Sequence, residues 1–278
     1  MTIRDPGRAV DVVVVVPARD ESARIATCLH SVRISLQQAI ASGAVGRVAV
    51  AVVAHNCTDD TLGQAERVLS GLPHVLVPDS LSTTVGQVRA LGVRAALDVL
   101  PSRAGRSSGS LAGSGSPREV WILNTDADSI VPGTWVTDVL AHARHGHHAV
   151  VGMARLHRPA FPGPADTPQA RQARAAYRKI ILGGIHGRSH DHVYGANLAV
   201  RADAYADVGG FPSVPVGEDR ALVDLVVRAA RPVVRPRDVV VTTSGRRHGR
   251  ALGGLASLLD SLDHGYLPDG GSPIAGAA

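Results

Sequence analysis

The run VDVVVVV, Val10 to Val16, constrains this chain more than any other stretch. Apart from Asp11 every residue is valine, whose stiff χ1 favours extended backbone. No apolar/polar alternation marks a solvent face, so the spacing predicts a strand buried on both sides, ended by Pro17. Such strands belong to parallel sheets covered by helices.

The segments that follow fit that expectation. Glu21–Ala39 carries Ile25, Leu29, Val32 and Leu36 at helical spacing. Arg47–Ala54 reads as a second buried strand, Thr58–Leu69 as a helix and Val75–Val77 as a short strand, and this βαβαβ order is the sign of a doubly wound sheet. Val85–Leu100 is helical. PSRAGRSSGSLAGSGSP (residues 101–117) then loses all periodicity and reads as a flexible loop, taken here as 101–118. Glu119–Asn124 is the fourth strand, Pro132–Arg144 a helix and Ala149–Leu156 one further strand. Beyond it we expect a helix at Ala170–Leu182, a strand within His192–Val200, helices at Ala202–Asp207 and Asp219–Ala230, a strand at Val239–Thr243 and a helix at Leu252–Leu262.

Composition narrows the class. Hydrophobic residues make up 45% and aromatic residues 3%, so the core is aliphatic and offers no stacking surface for single-stranded nucleic acid. The net charge of +5 is carried almost wholly by arginine, Lys179 being the only lysine. With the high Ala, Gly and Val content this looks like coding bias rather than a polyanion site, and no nucleic-acid partner is expected. Cys28 and Cys57 are too few for a disulfide framework and lack metal-ligand spacing, which points to a reducing, cytoplasmic setting. The N-terminus lacks the shape of a signal peptide, and no apolar run approaches the roughly 20 residues of a spanning helix. Peripheral contact with the inner face of a membrane stays open.

Acidic residues gather where strands should end. In WILNTDADSIV an apolar run stops at Asp126 and Asp128, outside the carboxyl end of the fourth strand, where open parallel sheets bind ligands. A turn with Asx hydrogen bonds would use the same residues. VVVVVPARDES puts Asp20, Glu21 and Ser22 at the same edge, where helix capping is the alternative. HNCTDDT does so for Asn56, Asp59 and Asp60, which could equally start a helix. VPVGEDRALVDLVVRA sets Glu218 and Asp219 at a helix start, as caps or as a general base. HARHGHH gathers His142, His145, His147 and His148, but at a helix end away from this edge.

Taken together, VPARDES, HNCTDDT, NTDADS, YGANLAVRADAYADVGGF and GEDRAL resemble the family 2 glycosyltransferases, from about Val10 to about His248. The resemblance implies an α/β chain of the GT-A nucleotide-diphospho-sugar transferase fold, a mostly parallel central sheet flanked by helices. It implies a single domain over 1–278, with a nucleotide-sugar-binding half at about 10–128 and an acceptor half at 129–250. The implied reaction moves a sugar from a UDP-, GDP- or dTDP-linked donor to a hydroxyl of a small-molecule or lipid-linked acceptor, with inversion. Mg2+ or Mn2+ would bridge the Asp-x-Asp pair and the donor diphosphate. By position in the family pattern, Pro17, Ala18 and Glu21 border the nucleoside and Asp59 recognises its base or ribose. Asp126 contacts ribose or metal, and Asp128 is the main metal ligand. Gly195, Ala196 and Asn197 form the loop that lets sugar and acceptor approach the backbone. Asp219, paired with Glu218, takes the acceptor proton. TTSGRRHGR offers His248 as a further metal ligand and Arg246 or Arg247 for diphosphate charge.

The chain departs from the family pattern at HNCTDD, which leaves the base open, and it shows no Gln-x-x-Arg-Trp processivity signal. A retaining GT-A transferase, a sugar-phosphate nucleotidyltransferase and a nucleotide-sugar-binding protein without turnover are the alternatives. A nucleotidyltransferase would want a Gly-rich loop and lysine after the first strand, and PARDES has neither. An Asp-nucleophile phosphatase would want its motif on the first strand and a later lysine.

Overall fold

A computed structural model describes residues 9–100, 119–157, 167–246, 255–264 and 266. The elements run β1 (Val10–Ala18), α1 (Ile25–Ala41), β2 (Val45–His55), α2 (Thr61–Leu69), β3 (His74–Asp79), α3 (Val85–Val99), β4 (Val120–Asn124), α4 (Trp135–Ala143), β5 (Ala149–Val151) and β6 (Met153–Leu156). They continue with α5 (Pro168–Gly183), β7 (Ile185–His186), β8 (Ser189–His190), a 3-10 turn at Gly195–Asn197, β9 (Leu198–Arg201), α6 (Ala202–Asp207), α7 (Glu218–Arg228), β10 (Val233–Val234), β11 (Val240–Thr243) and α8 (Leu255–Asp263). The loop expected at 101–118 falls outside the described residues.

Seven strands form the central sheet in the order β10-β5-β9-β4-β1-β2-β3. β1 pairs parallel with β2 and β4, and β2 with β3. β9 is antiparallel to both β4 and β5. The valine run of β1 is buried on both faces, as its composition requires. Val12, Val14 and Val16 pack with Ile25, Leu29 and Val32 of α1 and with Trp135 and Val136 of α4. Val13 and Val15 face the other way, onto Val93 and Ala96 of α3 and Leu222 and Val226 of α7.

The single strand expected at Ala149–Leu156 is two. β5 joins the central sheet, whereas β6 turns away and pairs parallel with β11 in a sheet of its own. Gly152 is the break: a Cβ there would lie 2.1 Å from Asn197 Nδ2 and 2.7 Å from the Val239 carbonyl oxygen, so only glycine lets the chain cross at this point. The hairpin β7–β8 and the two-residue β10 had no counterpart in the expected elements. No helix among the described residues is long and apolar enough to cross a membrane.

Candidate functional site

The carboxyl ends of β1 and β4 open onto a cavity of about 320 Å3. Pro17, Ala18 and Glu21 line it from the β1 end, Asp126 and Asp128 from beyond β4, and Ala196 from the 3-10 turn. Thr84 and Arg89 of α3, His55, Tyr194, Arg246 and Leu255 complete much of the wall. The Asp-x-Asp segment is held as a tight turn, with the Asp126 carbonyl accepting hydrogen bonds from the Ser129 amide at 3.0 Å and from Cys28 Sγ at 3.2 Å.

Two arginines balance the two carboxylates. Arg89 Nη2 lies 2.7 Å from Asp126 Oδ1. Arg246 Nε lies 3.4 Å from Asp128 Oδ2, and the same guanidinium donates to Glu21 Oε1. Burial nonetheless pushes the Asp128 carboxyl up to about 6, Arg246 opposing the shift while the charges of Asp126 and Glu21 add to it. Burial, more than charge, is what makes this carboxylate reluctant to ionise, and it sets oxygens of Asp126, Asp128 and Glu21 on one cavity wall. Hard oxygen donors so grouped suit Mg2+ or Mn2+, which commonly take few protein ligands and complete their shell from substrate phosphates. Asp126 and Asp128 would hold such an ion. Among the described residues the one grouping of three potential ligand atoms within 4.8 Å is elsewhere, at Asp20, Cys57 and Asp59.

Asp59 does not line the cavity. Its carboxylate accepts hydrogen bonds from the Ser22 amide at 3.0 Å and from the Thr61 amide at 3.1 Å, as well as from the Thr61 hydroxyl. Burial opposes ionisation here, but these bonds outweigh it and hold the group down at about 2. Asp59 therefore braces the β1–α1 loop against the start of α2. Glu21 joins the same bracing, its amide donating to Thr61 Oγ1 at 2.8 Å.

Glu218 and Asp219 are buried in the first turn of α7, behind the cavity wall. Gly217 precedes them in the left-handed region at φ 80°, which glycine adopts without strain. Burial and the neighbouring Glu218 charge raise the Asp219 carboxyl to about 6, against the Arg220 amide, Arg89 and the Gly195 amide. Asp219 Oδ1 accepts from the Arg220 amide at 2.7 Å, and Oδ2 has no hydrogen-bond partner among the described residues.

Gly195, Ala196 and Asn197 are all buried, and of these only Ala196 borders the cavity. The Asn197 side chain is fully engaged: Oδ1 accepts from Trp135 Nε1 at 2.9 Å, and Nδ2 donates to the Met153 and Val239 carbonyls at 2.9 and 3.1 Å. It ties α4, β6 and the approach to β11 together. His248 and Arg247 lie outside the described residues. The histidines of HARHGHH stay away from the cavity, with His142 on Asp238 and His145 and His147 on backbone carbonyls. Lys179 is exposed on α5.

The sequence reading passed over Arg89. Its neighbours Val85, Val93 and Ala96 recur at helical spacing, so the arginine sits on the apolar face of α3, and that placement was the available signal. His55, held by Asp79 at 3.0 Å, was read only as the beginning of HNCTDDT.

No family model matches the sequence, and no curated protein matches it. The fold does match solved structures. One is the mannosyltransferase PcManGT from Pyrobaculum calidifontis in complex with GDP-Man and Mn2+, at TM-score 0.56 and 20% identity over 86% of this chain and 58% of that one. Another is S. aureus TarS 1-349 in complex with UDP-GlcNAc, at TM-score 0.54 and 15% identity over 87% of this chain and 60% of that one. This chain thus spans about three fifths of the length of each. At these identities the likeness is one of fold, and the fold is the GT-A type that the motifs implied.

Proposed function

We propose that the chain is a metal-dependent glycosyltransferase that moves a sugar from a nucleotide-sugar donor to an acceptor hydroxyl by single displacement with inversion. The observation that carries this reading is the half-buried carboxylate pair Asp126–Asp128 beyond β4, on the wall of a cavity that Arg89 also lines, with Arg89 in turn meeting Glu218 beside Asp219 at the start of α7. The GT-A fold supports it, as do the GDP-Man, UDP-GlcNAc and Mn2+ bound by the two similar structures.

Pro17, Ala18 and Glu21 border the nucleoside, and Asp59 acts on it by holding the loop that carries Glu21. Asp128 and Asp126 would hold Mg2+ or Mn2+, which would offset charge on the departing nucleoside diphosphate. Arg246, already on the cavity wall, is placed to meet the same diphosphate, with His248 as a further ligand. Asp219, whose Oδ2 has no hydrogen-bond partner among the described residues and whose affinity for a proton is raised, accepts the hydroxyl proton as the acceptor oxygen attacks the anomeric carbon and the nucleoside diphosphate departs. Glu218 keeps that affinity high. Ala196 and Gly195 let the sugar approach the backbone. The acceptor is a small molecule or a lipid-linked one, met in the cytoplasm or at the inner face of a membrane.

The test is a thermal-shift screen of UDP-, GDP- and dTDP-sugars with and without Mn2+, since a ligand of the native state raises its melting temperature. A metal-dependent rise with one nucleotide, lost in Asp128→Ala, is the expected result. No rise with any of them overturns the reading. The anomeric configuration of the product, read by NMR, separates inversion from retention.

A further inference from the structure

Arg89 is buried to 1% exposure on α3, and a guanidinium so placed is costly unless counter-charges surround it. It has them on two sides. Nη2 meets Asp126 Oδ1 at 2.7 Å, and Nε meets Glu218 Oε1 at 3.2 Å. One side chain thus spans from the Asp-x-Asp turn to the first turn of α7. Among the described residues, two atoms around it have no hydrogen-bond partner, Arg89 Nη1 and Asp219 Oδ2, a donor and an acceptor of opposite charge that act on each other electrostatically.

The frame around this bridge is stiff. Gly86, three residues before Arg89, packs so closely that a Cβ there would lie 2.2 Å from the Pro212 carbonyl oxygen and 3.1 Å from Glu218 Cβ. α3 is therefore seated against the start of α7, and Arg89 cannot follow Asp126 without changing its contact with Glu218.

We propose that Arg89 is a positioning residue that couples the donor-side carboxylate Asp126 to the acceptor-side pair Glu218–Asp219. It shares one positive charge between both sides. A cation held at Asp126 competes with Arg89 for that carboxylate and leaves more of the guanidinium to Glu218 and Asp219. Conversely, removing the Glu218 charge gives Arg89 wholly to Asp126 and weakens cation binding there. This rests on the proposed function, because it takes Asp126 and Asp128 as the cation site.

Titration of Mn2+, alone and with UDP or GDP, into the full chain tests the coupling. The variants are Glu218→Gln, Arg89→Met, Arg89→Lys and each Arg89 variant combined with Glu218→Gln. Glu218→Gln is expected to weaken Mn2+ binding by about 3- to 30-fold, the range for energetic coupling through a shared partner. In the Arg89→Met background the same change should shift binding less than about twofold, the loss of interaction that a double-mutant cycle isolates. Arg89→Lys, which keeps the charge, should restore part of the coupling. If Arg89→Met fails to fold, Arg89→Gln, neutral and polar, supplies the cycle in its place. Equal shifts with and without Arg89, while Asp128→Ala still abolishes binding, overturn the coupling and leave the proposed function standing. No Mn2+ binding by the wild-type chain under any of these conditions overturns both.

Discussion

Asp219 illustrates how burial converts an ordinary carboxylate into a candidate base. Its proton affinity is raised because the ionised form has lost water and faces Glu218. A carboxyl whose folded pKa exceeds its unfolded value binds more protons when folded, so folding stability falls as pH rises from about 4 to about 6 and the cost persists above that. Asp219→Asn should therefore stabilise the fold at pH 7.5, by on the order of 2 kcal/mol, and change it little at pH 4. Paired thermal melts at the two pH values measure this. The same variant should lose transfer by about 100-fold or more while keeping nucleotide binding. Loss of donor binding instead would move Asp219 out of the base role.

At the scale of elements, Gly152 and Asn197 form one joint. Gly152 ends β5, and Asn197 fills the space a side chain at Gly152 would need while fastening Trp135, Met153 and Val239. Gly152→Ala should cost about 1–3 kcal/mol by overpacking. Asn197→Ala should cost at least as much, since it orphans a buried indole N–H and two carbonyls. Urea unfolding of both variants checks this, and an Asn197→Ala chain of unchanged stability would return that residue to direct sugar contact. The same joint marks the limit of what the sequence made legible. The valine run of β1 could be placed because burial on both faces leaves an unmistakable composition. Ala149–Leu156 could not be divided, because the run AVVGMARL carries no break signal beyond the single Gly152, and β5 and β6 part only where Asn197, distant in sequence, fills the space over that glycine. Asp126 and Asp128 could be found from their place after an apolar strand. Arg89 was marked only by its place on the apolar face of α3, and nothing in the sequence named its two acidic partners, which come from distant segments.

At the scale of the whole molecule, the two carboxyls raised among the described residues, Asp128 and Asp219, set the response to acid. Both take up protons as pH falls through about 6, and both functions proposed for them need the ionised form. Transfer should therefore lose activity below pH 6, and Mn2+ affinity should fall over the same interval as protons compete at Asp128. Activity unchanged between pH 7 and pH 5 would contradict both assignments. Bound cation favours the ionised form of Asp128, so excess Mn2+ should move the acid limb to lower pH.

The pairing of Arg246 with Glu21 joins residues 225 positions apart, and it has a consequence for how the protein comes into being. During synthesis the β1–α1 loop leaves the ribosome with the local Arg24 beside the Glu21 carboxylate, and its closer partner is made more than two hundred residues later. Contacts of such sequence separation form late and slow folding. A nascent chain halted short of Arg246 would hold the cradle for a nucleotide without the charge that closes it. Competence to bind donor should then appear only once Arg246 has been made.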